Sequence, residues 1–184
     1  MAQLTEAARA GRAKWFQGER PRPQNIDPTG PGQESAWSYP RPPRLDRSPH
    51  LVRVEWAGRV IAETRNALRV LETSHPPNYY VPPADVDWSA LVQAPGSSLC
   101  EWKGEARYWS VRAGGQVVAN AAWSYPDPFD DFAEVLDHVS FYCATLQCWV
   151  GDERALPQPG GFYGGWVTSH VTGPFKGGPG TQGW

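Results

Sequence analysis

Between Leu51 and Glu63 the chain reads LVRVEWAGRVIAE. Val52, Val54 and Trp56 alternate with Arg53 and Glu55, and Val60 and Ala62 resume the alternation after Ala57-Gly58. A period of two interrupted by a short turn predicts a β-hairpin. Thr64–Ala67 reads as one helical turn. LRVLE (68–72) and NYYVPP (78–83) flank TSHPP and predict a second hairpin; Leu68, Leu71 and Glu72 also fit a helical period, and the strand is the preferred reading. ADVDWSALV (84–92) resembles a short helical turn. SLCEWKGEARYWSVRA (98–113) reads as a strand, a break at Gly104 and a second strand, with Tyr108 and Ser110 on one face and Trp109 and Val111 on the other. Gly114-Gly115 turns the chain, and QVVANAAWSYP (116–126) returns as its partner. DDFAEVLD (130–137) predicts a short helix with acids at its N-terminus. HVSFYCA and CWV predict further strands. Near the start, Thr5 caps a predicted helix running to Phe16.

One phrase occurs twice. AWSYPRP spans Ala36–Pro42 and AWSYPDP spans Ala122–Pro128, while the sequences that follow them differ. The repeat is therefore a reused local device. Trp-x-Tyr puts two rings on one strand face, and the prolines end the pairing. The expectation is that the first copy adds to the sheet as the second does. The alternative is that it docks on another subunit; burial of Trp37 within its own chain distinguishes the two.

Composition sharpens the fold class. The 184 residues include 10 Trp, 19 Gly and 19 Pro. So many prolines oppose a helical bundle and favour short strands joined by turns. We expect a mainly β protein with one or two short helices: a Pro-rich N-terminal arm (1–50), a β domain (51–150) and a tail (151–184) packed on that domain. The tail carries nine glycines from Gly160 onward, with Phe162, Tyr163, Trp166, Phe175 and Trp184 to pin it to the sheet. A net charge of -2 and a pI near 6.1 offer no basic surface for nucleic acid. The N-terminus lacks a secretory apolar core, and no run approaches the ~20 apolar residues of a membrane span, so a soluble, cytoplasmic protein is expected. Cys100, Cys143 and Cys148 form no CxxC pair and read as reduced thiols. Combined with His138 or His170 they match no zinc spacing, so neither a metal nor a cofactor is expected. The sequence does not specify an oligomeric state.

Cys100, Lys103, Gly104, Ala106, Tyr108 and Trp109, followed by Trp123, Tyr125, Pro126 and Pro128, resemble two signature segments of the DUF427 family, Cys-x-x-Lys-Gly-x-Ala-x-Tyr-Trp and Trp-x-Tyr-Pro-x-Pro. The resemblance covers roughly Leu51 to Trp149. The AWSYPRPP leader and the Gly-rich tail resemble the extended form of actinobacterial members. The resemblance implies a small β-tent-like (Mss4-like) sandwich or barrel, with two sheets around a cup. It implies no established activity, although a nucleotidyltransferase label is attached to the family. Related β-tent proteins hold zinc through paired CxxC knuckles, which this chain lacks.

The candidate chemistry centres on CEWKG. A lysine beside a thiol favours a nucleophilic Cys100. On an unbroken strand residues i and i+3 face opposite ways, so Cys100 and Lys103 meet only where Gly104 or a bulge bends the chain; otherwise Cys100 is buried and Lys103 solvated. Glu72 precedes a turn and Tyr80 follows it, so a buried Glu72 could act as a base or as counter-ion to Lys103. Trp109, Trp123 and Tyr125 lie on one predicted hairpin and could wall a pocket or simply fill the core. Nucleotidyl transfer needs carboxylates beside a phosphate-cradling turn. DVD (85–87) and DPFDD (127–131) flank PGSS (95–98) at no useful distance, and GPFKGGPGT lacks the order of a P-loop. The preferred expectation is a small-molecule-binding domain with Lys103, Glu72, Tyr80, Trp109, Trp123 and Tyr125 around the ligand. The alternatives are an enzyme, a transferase or hydrolase using Cys100 or Lys103, and a protein-interaction module with exposed tryptophans.

Overall fold

The computed structural model describes residues 2–184. Helix α1 (Glu6–Lys14) precedes ten strands of three or more residues: β1 (Arg44–Arg47), β2 (Val52–Trp56), β3 (Arg59–Thr64), β4 (Leu68–Leu71), β5 (Asn78–Tyr80), β6 (Leu91–Cys100), β7 (Gly104–Ala113), β8 (Gln116–Ser124), β9 (Val139–Phe141) and β10 (Gln147–Val150). The protein is mainly β, and none of its sheets closes into a barrel. Strands β9-β8-β7-β6 form one antiparallel sheet, and Glu153–Arg154, β10, β2 and β3 a second. A third has the order β1-β4-β5 and joins the first where Val81 pairs with Val139.

The predicted turns explain this topology. Ala57 and Gly58 take φ of 48° and 75°, which suits the tight connection of β2 to β3, and Gly114 and Gly115 at 57° and 74° connect β7 to β8. Period-two alternation then sorts side chains between two cores. Val52, Val54, Ile61, Val111, Ala122, Phe141 and Val150 fill the larger core. The opposite face of the β9-β8-β7-β6 sheet carries Ala106, Trp123 and Tyr125, which pack with Leu68, Val70 and Tyr80 in a second core. Tyr79 and Tyr80 are adjacent on β5 and so part company: Tyr79 packs 5.1 Å from Trp166 in the first core, and Tyr80 joins the second.

The arm and the tail hold each other on the third sheet. Glu34–Ser35 pairs in parallel with Val171–Thr172. Arg69 on β4, itself buried, grips Glu34 through both carboxylate oxygens at 2.8 and 3.1 Å and Asp46 at 3.1 Å. Trp166 is fully buried, Phe175 packs on Ala36, Tyr39 and Leu71, and Trp184 meets Trp37 at 5.3 Å. Phe162, expected to pin the tail, is instead 79% exposed.

Three local expectations are corrected. Thr64–Ala67 forms no helical turn, because the Thr64 hydroxyl accepts from the Asn66 amide at 2.9 Å, a side-chain bond that replaces the helical one. Asp130–Val135 is two short 3-10 turns broken at Phe132 (φ -124°), whose ring turns into the second core. The first AWSYP copy is not a strand: Ala36–Ser38 is a 3-10 turn. Trp37 is nevertheless buried in its own chain, which favours the intrachain role over docking on another subunit.

Candidate functional site

The bend anticipated at Gly104 exists. Strands β6 and β7 are joined by a tight turn over residues 101–103, and Cys100 pairs directly with Gly104. Gly104 has φ of +107°, a conformation that L side chains rarely adopt, and a Cβ there would lie 3.3 Å from the carbonyl oxygen of Asp127. The turn brings Cys100 and Lys103 to the same side. Helix α1 clamps it from outside: Arg12 donates to the carbonyl oxygens of Glu101 and Trp102 at 2.7 and 3.0 Å, and Trp15 Nε1 donates to the Glu101 carboxylate at 2.8 Å.

Beside this turn is a recess of about 310 Å³. The second-core face of the sheet supplies Tyr108, Trp123 and Tyr125, β5 supplies Tyr80, and the loop that follows β4 supplies Glu72 and His75. Tyr142, Trp15 of the arm, and Tyr163 and Lys176 of the tail complete the wall. Cys100 opens onto it, whereas Cys143 and Cys148 lie elsewhere, their thiols pushed up by burial, that of Cys143 to about 12. The tail approaches closely, since a Cβ on Gly164 would lie 2.1 Å from the Trp123 indole.

The polar groups of the recess are unequally satisfied. Trp123 Nε1 donates to the Tyr80 hydroxyl at 3.3 Å, and Tyr108 shares a 2.7 Å bond with Ser98. Burial raises the Tyr80 and Tyr125 phenols above their usual range and Tyr142 to about 12, so all three are neutral donors at neutral pH. Glu72 is ion-paired with Arg41 of the arm at 3.0 Å, not with Lys103 as the sequence suggested, because Arg41 reaches it from the adjacent segment while also donating to the Thr73 carbonyl. Lys176 donates to the Trp184 carbonyl oxygen at 2.8 Å and lies 4.4 Å from the Trp15 ring; burial lowers it to about 8. Lys103 is 7% exposed, lies 5.7 and 5.8 Å from the Tyr125 and Phe132 rings, and makes no ion pair within 4 Å among the described residues. Burial pulls its ammonium down, but Cys100, Tyr80 and Glu72 nearby carry it back above the ordinary lysine value, so it stays charged. His75 Nε2 is buried without a hydrogen-bond partner, and burial lowers the imidazole to about 3, which keeps it neutral.

Residues 44–152 match the profile of a family described as a domain of unknown function, DUF427. The chain belongs to the DUF427 family. A search of curated proteins gives no match. The DUF427 region contributes Glu72, His75, Tyr80, Cys100, Lys103, Trp123, Tyr125 and Tyr142 to the recess, whereas Trp15, Tyr163 and Lys176 lie outside it. The recess is therefore a product of the DUF427 region and of both flanking segments.

Of the candidates, Glu72, Tyr80, Cys100, Lys103, Trp123 and Tyr125 all reach the recess, and Trp109 does not. Trp109 pairs with Ala122 across the hairpin, faces the larger core, meets Trp88 at 5.3 Å and donates to Ser124 at 3.0 Å. Its neighbour Tyr108, opposite Trp123, takes the place assigned to it. The alternation on β7 already put these two side chains on opposite faces. The sequence gives no site role to Trp15, His75, Tyr142, Lys176 or Tyr163, the last expected only to pin the tail, because they come from loops and flanks whose docking no local pattern encodes. The acids considered for magnesium do not converge on the recess: Asp85 bonds Thr64, Asp87 pairs with Arg59, and Asp131 pairs with Arg12. No group of three His, Cys, Asp or Glu suited to a metal ion occurs among the described residues. No helix among the described residues is long and apolar enough to cross a membrane.

Proposed function

We propose that the protein is a small-molecule-binding β domain whose ligand occupies the recess beside Lys103. The observation that carries this reading is Lys103 itself. A buried ammonium without a carboxylate partner is costly in a folded protein, and a group kept in that state, facing a recess walled by aromatic rings, is a common feature of binding sites. The volume lies at the lower end of the roughly 300–1,000 Å³ typical of ligand pockets. Neutral phenols add oriented donors, and the arm and tail restrict the mouth. Glu72 acts indirectly, holding Arg41 and with it the arm.

Cys100 offers a direct test. It is the one cysteine on the recess, so 5,5′-dithiobis(2-nitrobenzoate) at pH 8 is expected to modify it alone and to block the recess with its aromatic thionitrobenzoate group. A fragment library screened by ligand-observed NMR should give hits on the unmodified protein that disappear after modification and persist in a similarly treated Cys100→Ser protein. Hits indifferent to the modification, or no hits, overturn the reading.

Covalent chemistry at Cys100 is the second reading, favoured by Lys103 beside the thiol. It requires iodoacetamide to alkylate Cys100 faster than free cysteine at neutral pH; an inert Cys100 removes it. The interaction-module reading finds less support, because Trp88 is the one exposed tryptophan.

A further inference from the structure

We propose that the occupant of the recess is a flat organic monoanion, an aromatic or heteroaromatic carboxylate, with its carboxylate on the Lys103 ammonium and its ring among the indole and phenol walls. This inference rests on the recess being a small-molecule site and adds the chemistry of the ligand.

The argument is a balance of charge. Two carboxylates line the recess, Glu72 and Glu101. Glu72 is neutralised by Arg41 at 3.0 Å, and Glu101 accepts from Trp15 Nε1 at 2.8 Å. Of the nearby cations, Arg41 is committed to Glu72 and the Thr73 carbonyl, and Lys176 to the Trp184 carbonyl oxygen. Neither buried lysine of the recess, Lys103 or Lys176, has a carboxylate within 4 Å among the described residues; Lys176 has the Trp184 oxygen as its partner, and Lys103 is left as the cation to be matched. A bound anion supplies the missing counter-charge, and a cationic ligand would meet repulsion. The remaining polar atoms agree. Tyr80 accepts from Trp123 and keeps its own proton to donate, and the buried His75 Nε2 is unpartnered on the same wall.

The number of free cations sets the charge of the ligand. Phosphate esters are recognised by arginine forks, or by several backbone amides at a helix N-terminus or glycine-rich turn. Here the nearest arginine is already committed, and no helix begins at the recess wall. One lysine suits one negative charge. The walls define the rest of the molecule: the rings of Trp15, Tyr80, Trp123, Tyr125, Tyr142 and Tyr163 offer flat, polarisable surfaces that favour a planar ring over a sugar or an aliphatic chain.

The test uses the full chain and four probes: indole-3-carboxylate, its neutral isostere indole-3-carboxamide, the cation tryptamine, and ATP. Binding is read by saturation-transfer NMR and by titration calorimetry. Indole-3-carboxylate is expected to bind about tenfold or more tightly than the amide, with tryptamine and ATP weaker still. Lys103→Met should abolish the preference for carboxylate over amide, and Lys103→Arg should restore part of it. If Lys103→Met fails to fold, the comparison of the four probes on the wild type decides alone. Equal or tighter binding of the amide or tryptamine overturns the anion while leaving the recess a binding site. Tightest binding of ATP replaces the monoanion with a phosphate ligand. If none of the four binds and no library fragment is displaced by Cys100 modification, this inference and the reading beneath it both fail.

Discussion

Ala36–Pro42 and Ala122–Pro128 share six of seven residues and adopt two different structures. In the second copy Ala122, Trp123 and Ser124 end a nine-residue strand bonded on both sides, by β7 and β9. In the first, Ala36, Trp37 and Ser38 coil into a 3-10 turn, opened by the Ser35 hydroxyl accepting from the Trp37 amide at 3.3 Å. The difference lies in the flanks. Six residues of strand pattern lead into the second copy, while a Pro- and Gly-rich stretch leads into the first and leaves only the pairing of Glu34–Ser35 with the tail. Both copies bury alanine, tryptophan and tyrosine, but to different ends. Tyr39 donates to Glu34 within the arm at 2.7 Å, and Trp37 donates to the Pro174 carbonyl at 2.8 Å, which staples arm to tail. Trp123 and Tyr125 instead line the recess. Seven residues specify which groups are buried; their neighbours decide the backbone and the use.

Substitutions can break this contrast. The largest effect is expected at Trp123→Ala, roughly 3–5 kcal/mol by urea denaturation, with loss of fragment binding. Trp37→Ala should cost less, about 2–3 kcal/mol, because the arm can settle onto its surroundings; fragment binding should survive it. Equal losses of binding would mean that the two copies act as one unit.

A pH titration probes the ground between the copies. The Ser74 amide donates to the Ala36 carbonyl, the Lys176 amide donates to the Ser74 carbonyl, and the next residue is the buried His75. His75 titrates at about 3 in the fold, against about 6.5 unfolded. The unfolded chain therefore binds more protons between those values, so stability is lost as pH falls through this window. From pH 7 to pH 5 the expected loss is about 2 kcal/mol, and it should vanish in His75→Asn. The tyrosines give the next contrast: Tyr39→Phe should cost about 1.5 kcal/mol by removing a bond to a carboxylate, whereas Tyr125→Phe should leave stability nearly unchanged and alter ligand affinity. The smallest effect is expected at Ser35→Ala, about 0.5–1 kcal/mol by urea denaturation for the lost cap.

Much of the β architecture was legible because it is written in short-range periodicity. Val52, Val54 and Trp56 alternate, Ala57-Gly58 and Gly114-Gly115 sit where the chain must turn, and Thr5 caps its helix as expected, accepting from the Ala8 amide at 3.2 Å. The Cys100–Lys103 pair was legible as a condition: the two meet if the chain bends, and the left-handed Gly104 bends it. What escaped depends on contacts distant in sequence. That Arg41, and not Lys103, takes Glu72 requires the arm to fold over the third sheet. That Tyr163 covers His75 at 4.7 Å requires the tail to return across the molecule. Period-two patterns carry no record of such docking, and for the same reason Trp37 was read as part of a strand when its partners are a proline carbonyl and Trp184.

Helix α1 gives the hold of Arg12 on the Glu101 and Trp102 carbonyls a practical meaning. A fragment trimmed to the family boundaries at 44 and 152 would lack this clamp, the ring of Trp15 and the lid formed by Tyr163 and Gly164. It would present a shallower, wetter hollow around a loosened lysine. Ligand searches on such a minimal fragment would be probing a different surface from the one these 184 residues build together.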